Sequence, residues 1–196
     1  MNYANRHHSE VLIRLFDDTF YSKYNTRLVR GDDEPVYLPA DQSCPYHRVI
    51  YAHGFFASAL HEIAHWCIAG ESRRHQVDYG YWYTPDGRDE EQQKAFEQVE
   101  VKPQAIEWAF SIACDFKFNF SLDNLDGAPA DILGFQSAVA NELSQMLNYG
   151  FPKRAQQFID VLRANYFPNA IARPLTRAQR QINEMTQRYS LPLERT

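Results

Sequence analysis

Cysteine is scarce. The three present, Cys44, Cys67 and Cys114, form no CxxC pair. So sparse and odd a set suits a reducing cytoplasm better than a disulfide-stapled secreted domain, and it weighs against a secreted protease. Charge of one sign is also lacking: the formal net charge is only -5, so neither nucleic acid nor a membrane surface is expected as a general partner. No apolar run approaches the ~18 residues of a membrane span. The opening "MNYANRHHSEVLIRLF" has no basic start, apolar stretch and small-residue cleavage site, so it does not read as a signal peptide. There is no internal repeat, no low-complexity segment, no linker and no G-x-G-x-x-G. H-x-D, the opening of the common 2-oxoglutarate oxygenase motif, is missing too.

What remains is the pattern of one globular domain over residues 1–196, mainly helical α+β, with a small sheet early in the chain. Ser9 is placed to cap a first helix whose apolar stripe is Val11, Leu12, Leu15, Phe16 and Phe20. Residues 31–47 hold three prolines and a glycine, which predicts loop with a short extended piece at Val36 to Leu38. "HRVIYA", 47–52, reads as a strand, and 55–69 as a helix stopped by Gly70. "HQVDYGYWY", 75–83, reads as extended. A turn at Pro85-Asp86-Gly87 leads into a polar helix. Pro103 is expected in the first turn of a separate helix, "PQAIEWAFSIAC". "DNLDG" reads as a turn, and helices are expected at 131–148, 153–165 and 176–188.

The chemistry lies in "ASALHEIAHWCIAG", which contains His61, Glu62 and His65 as H-E-x-x-H. Residues four apart on a helix share a face, so both imidazoles can reach one ion. Two polar rings on an otherwise apolar helix need partners, which favours a metal over two solvent-facing histidines. A carboxylate would complete the set. Glu97, Glu100 and Glu107 lie in "FEQVEVKPQAIEW". Glu100, at the start of the expected Pro103 helix, is the first choice, followed by Glu97 and then Glu107. Terminal His7 and His8, and the strand-flanking His47, His53 and His75, are weaker candidates. Cys67 and Trp66 read as core.

Two chemistries use such a site. In a zinc peptidase Glu62 would act as general base on a metal-bound water. The extended form of that motif is ruled out, because Ile68 and Glu71 stand where glycine and histidine are required. In a non-haem iron oxygenase, two histidines and a carboxylate leave positions open for dioxygen and substrate. A third reading is a metal-binding protein without turnover. The spacing is common to all three.

The blocks "HEIAHWCIAG", "VDYGYWYTPDGRDEEQQKAFEQVEVKPQAIEW" and "FNFSLDNLDG" occur in this order, and the chain from about residue 50 to 150 resembles the bacterial elongation factor P hydroxylases. The resemblance implies a cytoplasmic oxidoreductase of the monooxygenase type. It would hydroxylate a lysine of elongation factor P, normally after that lysine has received a β-lysyl group. It also implies a zincin-like metal helix, Fe(II) as the metal, dioxygen as co-substrate, and His61, His65 and Glu100 as ligands. Zinc would replace iron only under the peptidase reading. Glu62 becomes the catalytic candidate, to orient a ligand or shuttle a proton. Tyr79, Tyr81, Trp82 and Tyr83 could line a channel for a lysine side chain, although alternating aromatics on a half-buried strand are the plainer account. Arg73 and Arg74 are the basic pair nearest the motif for meeting an acidic partner.

Overall fold

The structure is a computed structural model that describes residues 6–80, 87–122 and 131–168. The described residues are mainly helical, with one three-stranded sheet. The elements run α1 (Ser9–Tyr24), β1 (Thr26–Arg30), β2 (Val36–Leu38), β3 (His47–Tyr51), α2 (Phe56–Ile68), α3 (Glu90–Cys114), α4 (Ile132–Tyr149) and α5 (Lys153–Tyr166). None of these helices is long and apolar enough to cross a membrane. The expected helix at 176–188 and the "DNLDG" turn lie outside the described residues.

Leu12, Leu15, Phe16 and Phe20 form the buried stripe of α1 as their spacing predicts. Ser9 is not its cap. His8 holds the cap position, and Ser9 is the first helical residue, buried. His7 is not loose: its ring packs against Phe56, Phe116 and Tyr166, with Nε2 2.9 Å from the Cys114 carbonyl. The sheet order is β1-β3-β2, with β1 parallel and β2 antiparallel to β3. Leu28, Tyr37 and Val49 meet across it on the buried face.

The apolar face of α2 is wide. Ala59, Leu60, Ile63, Ala64, Trp66 and Cys67 are all buried, with α1, α3 and α5 packed around the helix. The helix ends at Ile68, with Ala69 extended before Gly70. Its last carbonyls accept from two guanidiniums: Arg74 Nη1 donates to Ala69 O at 2.8 Å, and Arg154 Nη2 to Trp66 O at 2.8 Å. Cations at a helix C-terminus also favour its dipole. Arg74 therefore holds the metal-motif helix in place, and is no simple docking residue.

Residues 75–80 do not form the expected extended segment. Two 3-10 turns, Arg73–His75 and Val77–Gly80, take their place. Asp78 and Tyr79 lie in the left-handed region at φ 47° and 57°, a conformation that costs about 1–3 kcal/mol at a non-glycine residue. Asp78 Oδ1 accepts the Tyr37 N–H at 2.8 Å, and the Tyr79 ring stacks on Tyr37 at 4.3 Å. These contacts close the outer edge of β2 and hold the turn. Tyr81, Trp82 and Tyr83 lie outside the described residues, as do Pro85 and Asp86 of the expected turn.

Pro103 does not begin a new helix. α3 runs unbroken for 25 residues with Pro103 inside it. It starts at a capping box in which Asp89 accepts from Gln92 N and Gln92 reaches back to the Asp89 N–H. Proline removes one intrahelical bond and crowds the preceding turn. Here residues 103–114 are buried throughout, against α2, α4 and α5, and that packing outweighs the local penalty.

One consequence of the sheet's surroundings is testable. His47 Nδ1 accepts the Ala40 N–H at 3.0 Å, and its ring faces Tyr37 and His75. Burial, then the neighbouring His75 and Arg74, lower its pKa from the usual 6.5. The unfolded chain therefore takes up this proton at higher pH than the folded one. The stabilisation is complete above the ordinary histidine value and is lost as pH falls through the lowered one. Melting temperatures between about pH 7.5 and 5.5 should fall less steeply in His47→Gln than in the wild type. Equal slopes would remove His47 as a cause.

Candidate metal centre

α2 lies against α3, so the His61 and His65 face meets the Glu100, Gln104 and Glu107 face. On a continuous helix, positions 100, 104 and 107 lie one above another. Glu100 is the carboxylate between the two histidines. Its Oε2 is 3.3 Å from His61 Nε2, and its Oε1 is 3.2 Å from His65 Nε2. The two Nε2 atoms are 3.0 Å apart. Among the described residues, His61, His65 and Glu100 form the group whose donor atoms could hold one metal ion.

The other glutamates separate cleanly. Glu107 lies behind His61, with Oε2 2.8 Å from Nδ1. An ionised carboxylate only accepts hydrogen bonds, so Nδ1 carries the proton and donates it to Glu107. Nε2 is then the atom that faces His65 and Glu100, and the one a metal would take in place of a proton. A histidine fixed in this way by a carboxylate is the usual support for a metal ligand. Glu97 accepts from Gln93 Nε2 at 3.0 Å, away from the cluster. Gln104 Nε2 lies 3.5 Å from Glu100 Oε2 and donates to Ser121 O at 2.6 Å, which ties the α3 face to the following segment.

Ligands about 2.1 Å from an ion stand about 3.0 Å apart at right angles and about 3.4 Å apart in a tetrahedron. The three distances, 3.0, 3.2 and 3.3 Å, lie in that interval. Charge points the same way. Two carboxylates converge on two imidazoles, and burying them calls for a cation. Burial alone would disfavour charge on His61, but Glu100 and Glu107 outweigh it and raise its pKa well above the ordinary value. Burial would likewise raise Glu100, but His65 and His61 hold it well below the usual carboxylate range. The donor set thus fits a divalent metal in number, spacing and charge.

Exposure gives the centre a direction. The side chains of Glu100, His65 and His61 are 3%, 10% and 23% exposed, so access is from the His61 side. Glu62, the remaining residue of the motif, is half-buried beside this group and is not one of its converging donors. Burial, only partly offset by His65 and His61, raises its pKa. His47 and His75 contact each other instead, and His53 packs beside Phe55. The buried thiols are poor ligands or nucleophiles: burial pushes Cys114 up to about 12 and raises Cys67 as well.

A family model for elongation factor P hydroxylase matches residues 15–175, a span that contains every residue of this centre. The chain belongs to the elongation factor P hydroxylase family. It is also 50% identical over 160 residues to the elongation factor P lysine hydroxylase of Haemophilus influenzae, a match covering 82% of this chain and 90% of that relative. Sequence spacing put His61, His65 and Glu100 forward as candidate ligands, and the structure brings those three together; it ranked Glu107 only as a third candidate ligand and did not foresee its bond to His61. The available signal was the interval of seven residues between Glu100 and Glu107, readable only on an unbroken helix.

Glu107 gives a direct prediction. Glu107→Gln keeps an acceptor near Nδ1 but removes the charge. It should weaken metal binding by about 10-fold, and Glu107→Ala by up to about 100-fold. Competition with a chromophoric chelator measures both. Wild-type affinity in the alanine variant would rule out the supporting role.

Proposed function

We propose that this chain, as one domain over residues 1–196, is an Fe(II)-dependent hydroxylase that uses dioxygen to hydroxylate the lysine of elongation factor P, in its β-lysylated form. Identity with a named elongation factor P lysine hydroxylase over most of the chain carries the substrate. The convergence of His61, His65 and Glu100 supports the metal. The reading places the enzyme in the cytoplasm with its protein substrate. The peptidase and non-catalytic readings share the donor set, but the 50% identity to a named hydroxylase favours hydroxylation.

Bound iron would supply the activation of dioxygen that attack on an unactivated C–H bond requires. The chain's own residues do the rest. His61, His65 and Glu100 hold the metal. Glu107 keeps the proton of His61 on Nδ1, so that Nε2 stays available. Glu100, nearly closed to solvent, excludes water from the inner side, while the partly open His61 side is left for the lysine. Glu62 stands beside both histidines as the candidate to orient a ligand or move a proton. Positioning of the target carbon is the protein's main contribution to rate.

The test is the mass of the modified-lysine peptide of elongation factor P after incubation with iron-loaded protein under air. A gain of one oxygen atom is expected. An unchanged peptide, with iron demonstrably bound, would overturn the reading.

A further inference from the structure

Next to His65 is a cavity of about 220 Å³ that His61 does not line. His65, Arg73, Tyr79 and Lys102 are its polar lining, with Ile68 and Val99 among its apolar walls. No acidic side chain lines it among the described residues. The volume is below the ~300 Å³ at which pockets for drug-sized ligands begin. It suits a molecule of a few carbon atoms, and its two cations disfavour the ammonium groups of a lysine substrate.

Tyr79 is the residue that calls for a ligand. It is 5% exposed, and its hydroxyl is buried with no hydrogen-bond partner among the described residues. The stack on Tyr37 and the left-handed backbone fix the ring, and phenylalanine would stack equally well. A buried hydroxyl without a partner costs stability, and native proteins keep few of them. The ring explains an aromatic residue at this position. It does not explain the hydroxyl.

The reaction supplies a need. Hydroxylation takes four electrons to bring both atoms of dioxygen to the level of an alcohol and water. The C–H bond provides two, and a co-substrate must provide the others. We propose that this cavity binds a small organic anion that serves as the reducing co-substrate, with Tyr79 as its hydrogen-bond partner and Arg73 and Lys102 balancing its charge. Written in full, substrate R–H, dioxygen and co-substrate AH2 give R–OH, water and A. The co-substrate loses two electrons and two protons, both of which leave in the water. The position of the cavity brings it within one side chain, His65, of the metal centre.

The electron demand rests on the hydroxylase reading, but the binding test does not. Ascorbate, a reducing anion, and succinate, a redox-inert one, are titrated separately into the metal-loaded protein under nitrogen, with binding followed by calorimetry. Saturable binding of both is expected, and binding of succinate with none of ascorbate would overturn the reducing role. Tyr79→Phe and Lys102→Gln should each weaken it by about 10-fold, while metal content stays at the wild-type level. Tyr79→Phe should also melt no lower than the wild type, because it removes only an unpaired hydroxyl. Lys102 is exposed, so its variant reads charge without endangering the fold. Absence of binding tighter than about 10 mM for both anions overturns the proposal, as does wild-type affinity in both variants. Failure of the peptide to gain oxygen would instead count against the hydroxylase reading, whatever the titration gives.

Discussion

A His61→Ala protein is expected to purify with less than about a tenth of the wild-type iron and to leave the elongation factor P lysine unmodified. Replacing the supporting carboxylate of a metal ligand already costs about 10–100-fold in affinity, and removing the ligand itself must cost more. Each tenfold loss is about 1.4 kcal/mol of binding. His61 has a second function, because its imidazole separates Glu100 from Glu107 and hydrogen-bonds to Glu107. Its loss leaves two buried carboxylates with one remaining histidine, so both metal affinity and local stability should fall. Glu100→Ala removes the carboxylate shared by both histidines and should be equally severe. Glu97→Ala is the counterpart: Glu97 bonds to Gln93, outside the cluster, so iron content and turnover should match the wild type. Metal analysis and peptide mass on the three variants give one pattern to check. Iron loss in Glu97→Ala together with iron retention in Glu100→Ala would exchange their roles and sink the proposed ligand set.

How much of this centre could be read beforehand depended on range in sequence. His61 and His65 belong to one helix, and a period of 3.6 puts them together with no knowledge of the rest of the fold. Glu100 needed a second helix to dock on the first, so it stood as the first choice among three glutamates in the right stretch, with Glu97 and Glu107 left open. The place of Glu107 was hidden by Pro103. Proline argued for a break, and a break would have turned 100 and 107 to different faces. The burial of residues 103–114 against three helices kept the helix continuous instead. β1 was missed for a related reason. "TRLVR" is short and carries two arginines, and its parallel partner β3 lies some twenty residues further along. Its signal is therefore long-range pairing and not local composition. At 75–80 the error went the other way. An aromatic-rich run resembled a strand, while left-handed backbone at Asp78 and Tyr79 depends on contacts to Tyr37 that no local pattern reveals.

Trp66→Ala should be the most damaging core substitution for the metal centre, although Trp66 is not part of it. Trp66 follows His65 directly and points to the opposite side of α2. Its fully buried ring meets Phe16 at 4.9 Å, Phe20 at 4.8 Å and Tyr24 at 5.3 Å, with the Arg154 guanidinium 4.7 Å from the ring centre. These contacts hold the back of α2 and are expected to set its rotation, and so the direction in which His61 and His65 point. Truncating such a side chain costs about 3–5 kcal/mol, a large part of the ~5–15 kcal/mol that holds a domain together. For a chain of this size the melting temperature should drop by about 6–20 °C. Trp66→Phe keeps most of the apolar surface and should lose less than half as much. Metal binds only the folded form, so iron at about 100 times its dissociation constant should restore about 2.7 kcal/mol to a variant whose histidines still converge. If Trp66→Ala melts lower but iron recovers the wild-type increment, the packing behind α2 supplies stability alone. If the increment shrinks, the aromatic cluster also sets the aim of the ligands, and the geometry of the metal centre is fixed from the far side of its own helix.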